Sequence, residues 1–203
     1  MTSIVELLVR SPVEPWQRIG LSFDDGRAWV GGVAIHVRDE DGEPGLVGWT
    51  LDGSVARPDR IDGLPTEHVD DAQVRAGEHD LGAIAIDHVV VRTSSLERTC
   101  GEIERVTGEQ LRRVREAGAV RQGFHRLGPV IAEVVESDEA EGDGASFWGF
   151  VLVVDDLDSV VARLGPELIG GARPAVQPGR SIASFTRHAG LGLPVALMTP
   201  HRR

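Results

Sequence analysis

Ala85-Ile86-Asp87-His88-Val89-Val90-Val91-Arg92-Thr93-Ser94-Ser95-Leu96-Glu97-Arg98 is an apolar strand bearing one imidazole that runs into a Ser/Thr helix start. Beyond it Leu96, Cys100, Ile103 and Val106 recur at helical spacing and share one face. Ser94 or Ser95 supplies the N-cap, because a hydroxyl there accepts from an otherwise orphaned backbone N–H, and Gly108 suits the exit. Strand candidates follow at 111–114, 120–127 and 130–135, separated by Ala117-Gly118 and Gly128-Pro129. Residues 82–136 therefore read as one βαβββ unit.

The same order returns downstream. A strand over 147–154 leads to Asp155 or Asp156 as a cap, and Leu157, Val160, Val161 and Leu164 share the face of the helix that follows. Further strands are expected near 174–176, 181–187 and 193–198, which makes residues 146–203 another βαβββ unit. A shift of 61 positions lays Leu96 on Leu157, Cys100 on Val161 and Phe124 on Phe185. Upstream, a shift of 82 sets Ile4 on Ile86 and Glu6 on His88. Residues 1–52 read as a degenerate copy whose helix is cut short by Pro12 and Pro15. An acidic connector is expected at 53–81 and an acidic, exposed linker at 137–145. The fold class expected is α+β, with two well-formed βαβββ units and one degenerate N-terminal unit.

Composition narrows the partners. A formal net charge of −11 repels phosphates and argues against nucleic acid and against an anionic membrane surface. No apolar run approaches the roughly 20 residues that span a bilayer. The start, Met1-Thr2-Ser3-Ile4-Val5-Glu6, lacks a basic n-region and a long apolar core, and the single Cys100 forms no internal disulfide, so a cytoplasmic location is expected. Lysine and tyrosine are absent, which excludes Schiff-base lysine chemistry and a tyrosine general acid.

The run Ile86-Asp87-His88-Val89-Val90-Val91, the later Val151-Leu152-Val153-Val154-Asp155-Asp156-Leu157-Asp158 and the closing Gly192-Leu193-Pro194-Val195-Ala196-Leu197-Met198 resemble the glyoxalase/bleomycin-resistance, or vicinal oxygen chelate, proteins. That resemblance covers about residues 82–200 well and 1–52 weakly. It implies that each unit forms a cupped mixed sheet with its first and last strands adjacent, and that two units enclose a cavity. It also implies, in metal-dependent members, ligands on those two strands for one divalent ion that chelates vicinal oxygens. The family spans isomerases, lyases, dioxygenases, epimerases and proteins that only sequester a drug.

On this pattern His88 and Glu133 occupy ligand positions in the second unit. Strand alternation puts Ile86, His88 and Val90 on one face, and Ile131, Glu133 and Val135 on one face of the other strand. A carboxylate inside Val-Ile-Ala-Glu-Val-Val needs a partner, either a metal or an imidazolium. In the third unit Gly149 and Ala196 take the equivalent places and offer no side-chain donor. Pairing of the first and second units would instead assemble Glu6, His88 and Glu133, an N/O set suited to Zn, Ni, Mn or Fe. Ligand-binding candidates are Arg121 and His125, which alternation could aim into the cavity, Trp148, which is either core or a stacking platform, and Arg180. The Arg180 guanidinium either grips a carboxylate or phosphate or faces solvent.

The expected function is a small-molecule-binding protein with its ligand between paired units. The alternatives are a divalent-metal-dependent lyase, isomerase or dioxygenase acting on vicinal oxygens, and a non-catalytic interaction or sequestration protein; whether the chain is an enzyme is left open. Three units do not pair off within one chain, so a homodimer is expected.

Overall fold

The computed structural model describes residues 1–118, 120–137 and 143–201, so most of the acidic linker expected at 137–145 lies outside the described residues. The expected second unit is present as β7 (Ala83–Thr93), α2 (Leu96–Thr107), β8 (Leu111–Ala117), β9 (Val120–Leu127) and β10 (Val130–Glu136), after six earlier strands and one helix. Ser95 caps α2, accepting from the Arg98 N–H at 3.4 Å, and Gly108 closes the helix with φ at 71°. The third unit is β11 (Ser146–Val154), α3 (Leu157–Leu164), β12 (Arg173–Pro174), β13 (Ser181–Ser184) and β14 (Val195–Met198). In each unit the first and last strands are parallel neighbours, and antiparallel pairing of β7 with β11 fuses both units into one sheet of order β12-β13-β14-β11-β7-β10-β9-β8.

The N-terminal part is organised differently from the expectation. It comprises β1 (Ser3–Arg10), α1 (Glu14–Arg18), β2 (Arg27–Val30), β3 (Val33–Arg38), β4 (Gly45–Asp52), β5 (Arg60–Ile61) and β6 (Leu64–Val69). They form a second sheet, ordered β2-β3-β1-β4-β6-β5. The strand parallel to β1 is β3; β4 runs antiparallel to β1, as β11 runs antiparallel to β7. In turn β6 lies parallel to β4 as β14 does to β11, and β5 pairs with β6 as β13 pairs with β14. The first sheet is therefore a trimmed counterpart of the whole second sheet, without its two outermost strands and its second helix. Two strands of this counterpart come from the stretch expected to be connector, turned by Asp62-Gly63 with φ of 47° and 95°, the positive pair that a two-residue hairpin requires.

The correspondence extends to irregularities. Pairing of β1 with β4 skips Val5 and Val47; pairing of β7 with β11 skips Asp87 and Trp148 at the matching places. Gly48 lies against the Pro65 carbonyl, and Gly149 lies against the Pro194 carbonyl. At Gly149 an added Cβ would run into that carbonyl oxygen, so only glycine fits.

One apolar core unites the inner faces of both sheets with the helices. Trp16 of α1 stacks on Phe150 of β11 with ring centroids 6.0 Å apart, and Trp49 of β4 meets Phe147 of β11 edge-on at 5.1 Å. The Asp62 turn is tied to α2 by Arg98, whose Nε donates to Asp62 Oδ1 at 2.7 Å. The unpaired third unit behind the homodimer expectation does not exist: the chain completes its own second sheet and covers one sheet with the other. No helix among the described residues is long and apolar enough to cross a membrane.

Cys100 is buried beneath Gly123, with its thiol pushed up to about 12 by burial. In the folded protein it should react with a thiol reagent at neutral pH orders of magnitude more slowly than in urea, as a time course with and without denaturant will show. Gly149→Ala should cost about 1–3 kcal/mol of stability in urea titrations. Gly101→Ala, on the exposed side of α2 with open space around it, should instead gain about 0.5–1 kcal/mol.

Candidate functional site

Two adjoining cavities of about 750 and about 420 Å3 lie on the outward face of the second sheet. They share His88, Gln122, Glu133, Arg173 and Ile182. His88 reaches this face because of the bulge. Alternation alone would put Ile86 beside it, but the extra residue at Asp87 shifts the phase, so Ile86, Val89 and Val91 join the core while His88 and Val90 face outward. On β10 the expected alternation holds, with Ile131, Glu133 and Val135 outward.

The same bulge turns the Asp87 carboxylate onto its neighbour. His88 Nδ1 lies 2.8 Å from Asp87 Oδ2; since a carboxylate only accepts, Nδ1 donates to it, and Nε2 is directed at Glu133 Oε2, 3.4 Å away. Behind Asp87, Arg180 Nη1 donates to Oδ1 at 2.7 Å. Burial alone would raise the Asp87 carboxyl, but hydrogen bonds from His88 and Arg180 outweigh it and hold the group below the usual carboxylate range. Glu133 is the opposite case: burial raises its carboxyl more than His88 lowers it, and Gln122 Nε2 donates to Oε1 at 2.5 Å. A line Arg180–Asp87–His88–Glu133–Gln122 thus runs across the cavity floor. It can orient an imidazole and hold a proton on a carboxyl next to it.

Around this line the cavity is basic. Arg112, Arg113, Arg115, Arg126 and Arg173 line the larger part, with Arg92 in the smaller, where its guanidinium lies 4.8 Å over the Trp148 ring. Of the six, only Arg112 has a carboxylate within ion-pair distance among the described residues, Glu109 at 3.9 Å. Phe124, Ile182 and Met198 supply apolar wall.

The other candidates scatter. Trp148, 40% exposed, is set into the cavity by the second bulge. Arg121 is on the opposite side of β9, bonded to Glu136 at 2.9 Å and Glu97 at 2.6 Å, where it fastens α2. His125 shares that inner face: it is fully buried, its Nδ1 lies 3.0 Å from the Glu109 carbonyl, and its Nε2 has no partner among the described residues. Arg121 is absent from the lining of both cavities, whereas His125, buried on the side of β9 that α2 covers, still borders the larger one. Arg180 does not face solvent; it is buried beneath the site, also donating to the Thr199 carbonyl at 2.6 Å. Glu6 belongs to the first sheet, with Arg27 Nε at 2.6 Å and His36 Nδ1 at 3.3 Å. Sequence reasoning missed Asp87, Gln122 and the arginine lining; the charged run Leu111-Arg112-Arg113-Val114-Arg115 was the visible signal.

A divalent ion does not fit this donor set. Glu6 lines a different cavity, and opposite His88 and Glu133 stand Gly149, closed off by Pro194, and Ala196, with no donor. Among the described residues no group of three or more His, Cys, Asp or Glu side chains is disposed to hold a metal ion.

No protein-family model matches the chain. No curated protein matches it by sequence. Solved structures do match by fold. Methylmalonyl-CoA epimerase from Mycobacterium tuberculosis aligns with a TM-score of 0.50 at 14% identity, over 60% of this chain and 91% of that one. A hypothetical protein from Bacillus halodurans gives 0.48 at 13%, over 58% and 95%. A Streptomyces coelicolor methylmalonyl-CoA epimerase variant in complex with 2-nitronate-propionyl-CoA gives 0.47 at 15%, over 58% and 94%. At such identity the likeness is one of fold: this chain shares the glyoxalase-like fold of the Mycobacterium tuberculosis epimerase structure.

Proposed function

We propose that the chain is a glyoxalase-like small-molecule-binding protein whose second-sheet cavity takes an organic anion, a carboxylate or phosphate ester with an apolar portion. The observation that carries this is the arginine lining in a chain of net charge −11, where five of six cavity guanidiniums lack a carboxylate partner among the described residues. Guanidinium forks match carboxylate and phosphate oxygens in pairs, and the low-dielectric wall strengthens each contact. Phe124, Ile182 and Met198 would hold the apolar portion, and the polar end would reach His88 and Glu133. Methylmalonyl-CoA, the substrate in the name of the Mycobacterium tuberculosis protein, is an anion of this class.

A second reading, that the bound anion is also a substrate, is favoured by the Asp87–His88 pair beside a carboxyl of raised proton affinity. Nε2 of His88 and the Glu133 carboxyl could remove and return a proton at a carbon next to a carbonyl.

Isothermal titration with methylmalonyl-CoA, coenzyme A and pyrophosphate should give saturable binding for at least one. Arg113→Ala/Arg173→Ala should weaken it about tenfold or more; no binding to any of the three, or binding indifferent to the double substitution, rejects the anion site. The pH dependence has a definite sign. Glu133 titrates above an ordinary glutamate, so lowering the pH neutralises it early and removes a repulsion, and affinity should rise as pH falls through that raised value. Glu133→Gln should flatten the slope. For the second reading, deuterium from solvent should enter the α-carbon of methylmalonyl-CoA with the native protein and not with His88→Ala.

A further inference from the structure

The outward face of the first sheet carries a cavity of about 530 Å3 of the opposite electrical character. Register places Trp29, Ala34, Glu6, Thr50 and Glu67 in one lateral row across β2, β3, β1, β4 and β6, so their side chains share a face. In the second sheet the places of Glu6, Thr50 and Glu67 are held by His88, Val151 and Ala196. The acids lining the first cavity, Glu6, Asp24, Asp25, Glu67 and Asp70, outnumber Arg27 and Arg75.

Two neighbouring members of this row are unused. Thr50 borders the cavity and is 5% exposed, and its hydroxyl has no hydrogen-bond partner among the described residues. A buried hydroxyl left unpaired costs about 1–3 kcal/mol, which a ligand donor or acceptor would recover. Beside it in register, the exposed Glu67 carboxylate forms no ion pair among the described residues. Glu6, by contrast, is already satisfied by Arg27 and His36. Nor are three of the acids near this cavity disposed to hold a metal ion among the described residues, whereas a hard divalent ion takes six or more oxygens. One carboxylate and one hydroxyl a strand apart, flanked by Val5 and Val69, instead match the N–H donors and short alkyl portion of an organic cation. The cavity already has one such contact, the Arg75 guanidinium 5.5 Å over the Trp29 ring.

We propose that this face is a second ligand site, which takes a small organic cation of the ammonium or guanidinium class with its N–H donors on Glu67 and Thr50. The chain then binds ligands of opposite charge on its two outer faces. This is independent of the anion site.

Isothermal titration with n-butylammonium and n-butylguanidinium, with tetramethylammonium and Mn2+ as comparisons, tests it. The two N–H cations should bind saturably and compete with each other, and tetramethylammonium, which has no donor for Thr50, should bind at least about fivefold more weakly. Glu67→Gln should weaken the N–H cations about tenfold. Thr50→Val, which installs the residue type found at Val151, should abolish their advantage over tetramethylammonium. Both variants sit on the outward face, and an unchanged melting temperature verifies their folding. Absence of saturable binding, binding insensitive to both substitutions, or binding of Mn2+ in preference to the amines would overturn the proposal. Arg113→Ala/Arg173→Ala should leave cation binding unchanged, so failure of one site does not mimic failure of the other.

Discussion

The apolar layer between the two sheets sets the terms for everything else. Each sheet has one face that must leave water, and the Trp16–Phe150 stack and the Trp49–Phe147 edge contact lie where the two inner faces meet. Burying an aromatic of this size stabilises by several kcal/mol, and the offset pairing adds about 0.5–1.5 more. Neither sheet could keep that face dry alone. The polar and charged cavities are correspondingly turned outward, one on each side of the molecule.

Within that frame, a repeated backbone defect has been given two uses. An extra residue in the first strand of each sheet breaks alternation at the same place, and in both it brings a titratable side chain to the outer surface. In the second sheet the extra residue is Asp87, which supplies the hydrogen bond that orients His88. In the first it is Val5, and the neighbouring Glu6 looks to Arg27 on another strand. Position is common to the two faces, while charge is set by the residues around them.

Much of the fold was legible in the sequence, and the reasons differ by element. The strand and helix of residues 83–107 follow from apolar spacing, a serine cap and an exit glycine, all local signals. The N-terminal strands could be found but not assigned, since partner choice is a long-range matter and β5 is only two residues long. The Asp62-Gly63 pair was the local sign of its hairpin. Of the site, His88 and Glu133 were found because a polar residue in an apolar strand is conspicuous. Asp87, Arg121, His125 and Arg180 were not placed, because a bulge reverses which side a residue faces and because α2 decides which side of β9 is inside. Arg180 reaches Asp87 only after β13 and β14 bring it there.

The contact of Gly149 with the Pro194 carbonyl bears on how this cavity could change over evolution or in the hands of a designer. The two positions without donors are not equally open. Ala196 borders the cavity and already carries a Cβ, packed beside Val151 and Met198. Position 149 takes even a methyl group only if the Pro194 carbonyl at the entry to β14 moves. A path to a four-donor metal site therefore passes through a backbone move before any ligand appears, and intermediates along it would lose stability without gaining function. Building donors into this face is therefore first a problem of backbone placement and only then one of side-chain choice.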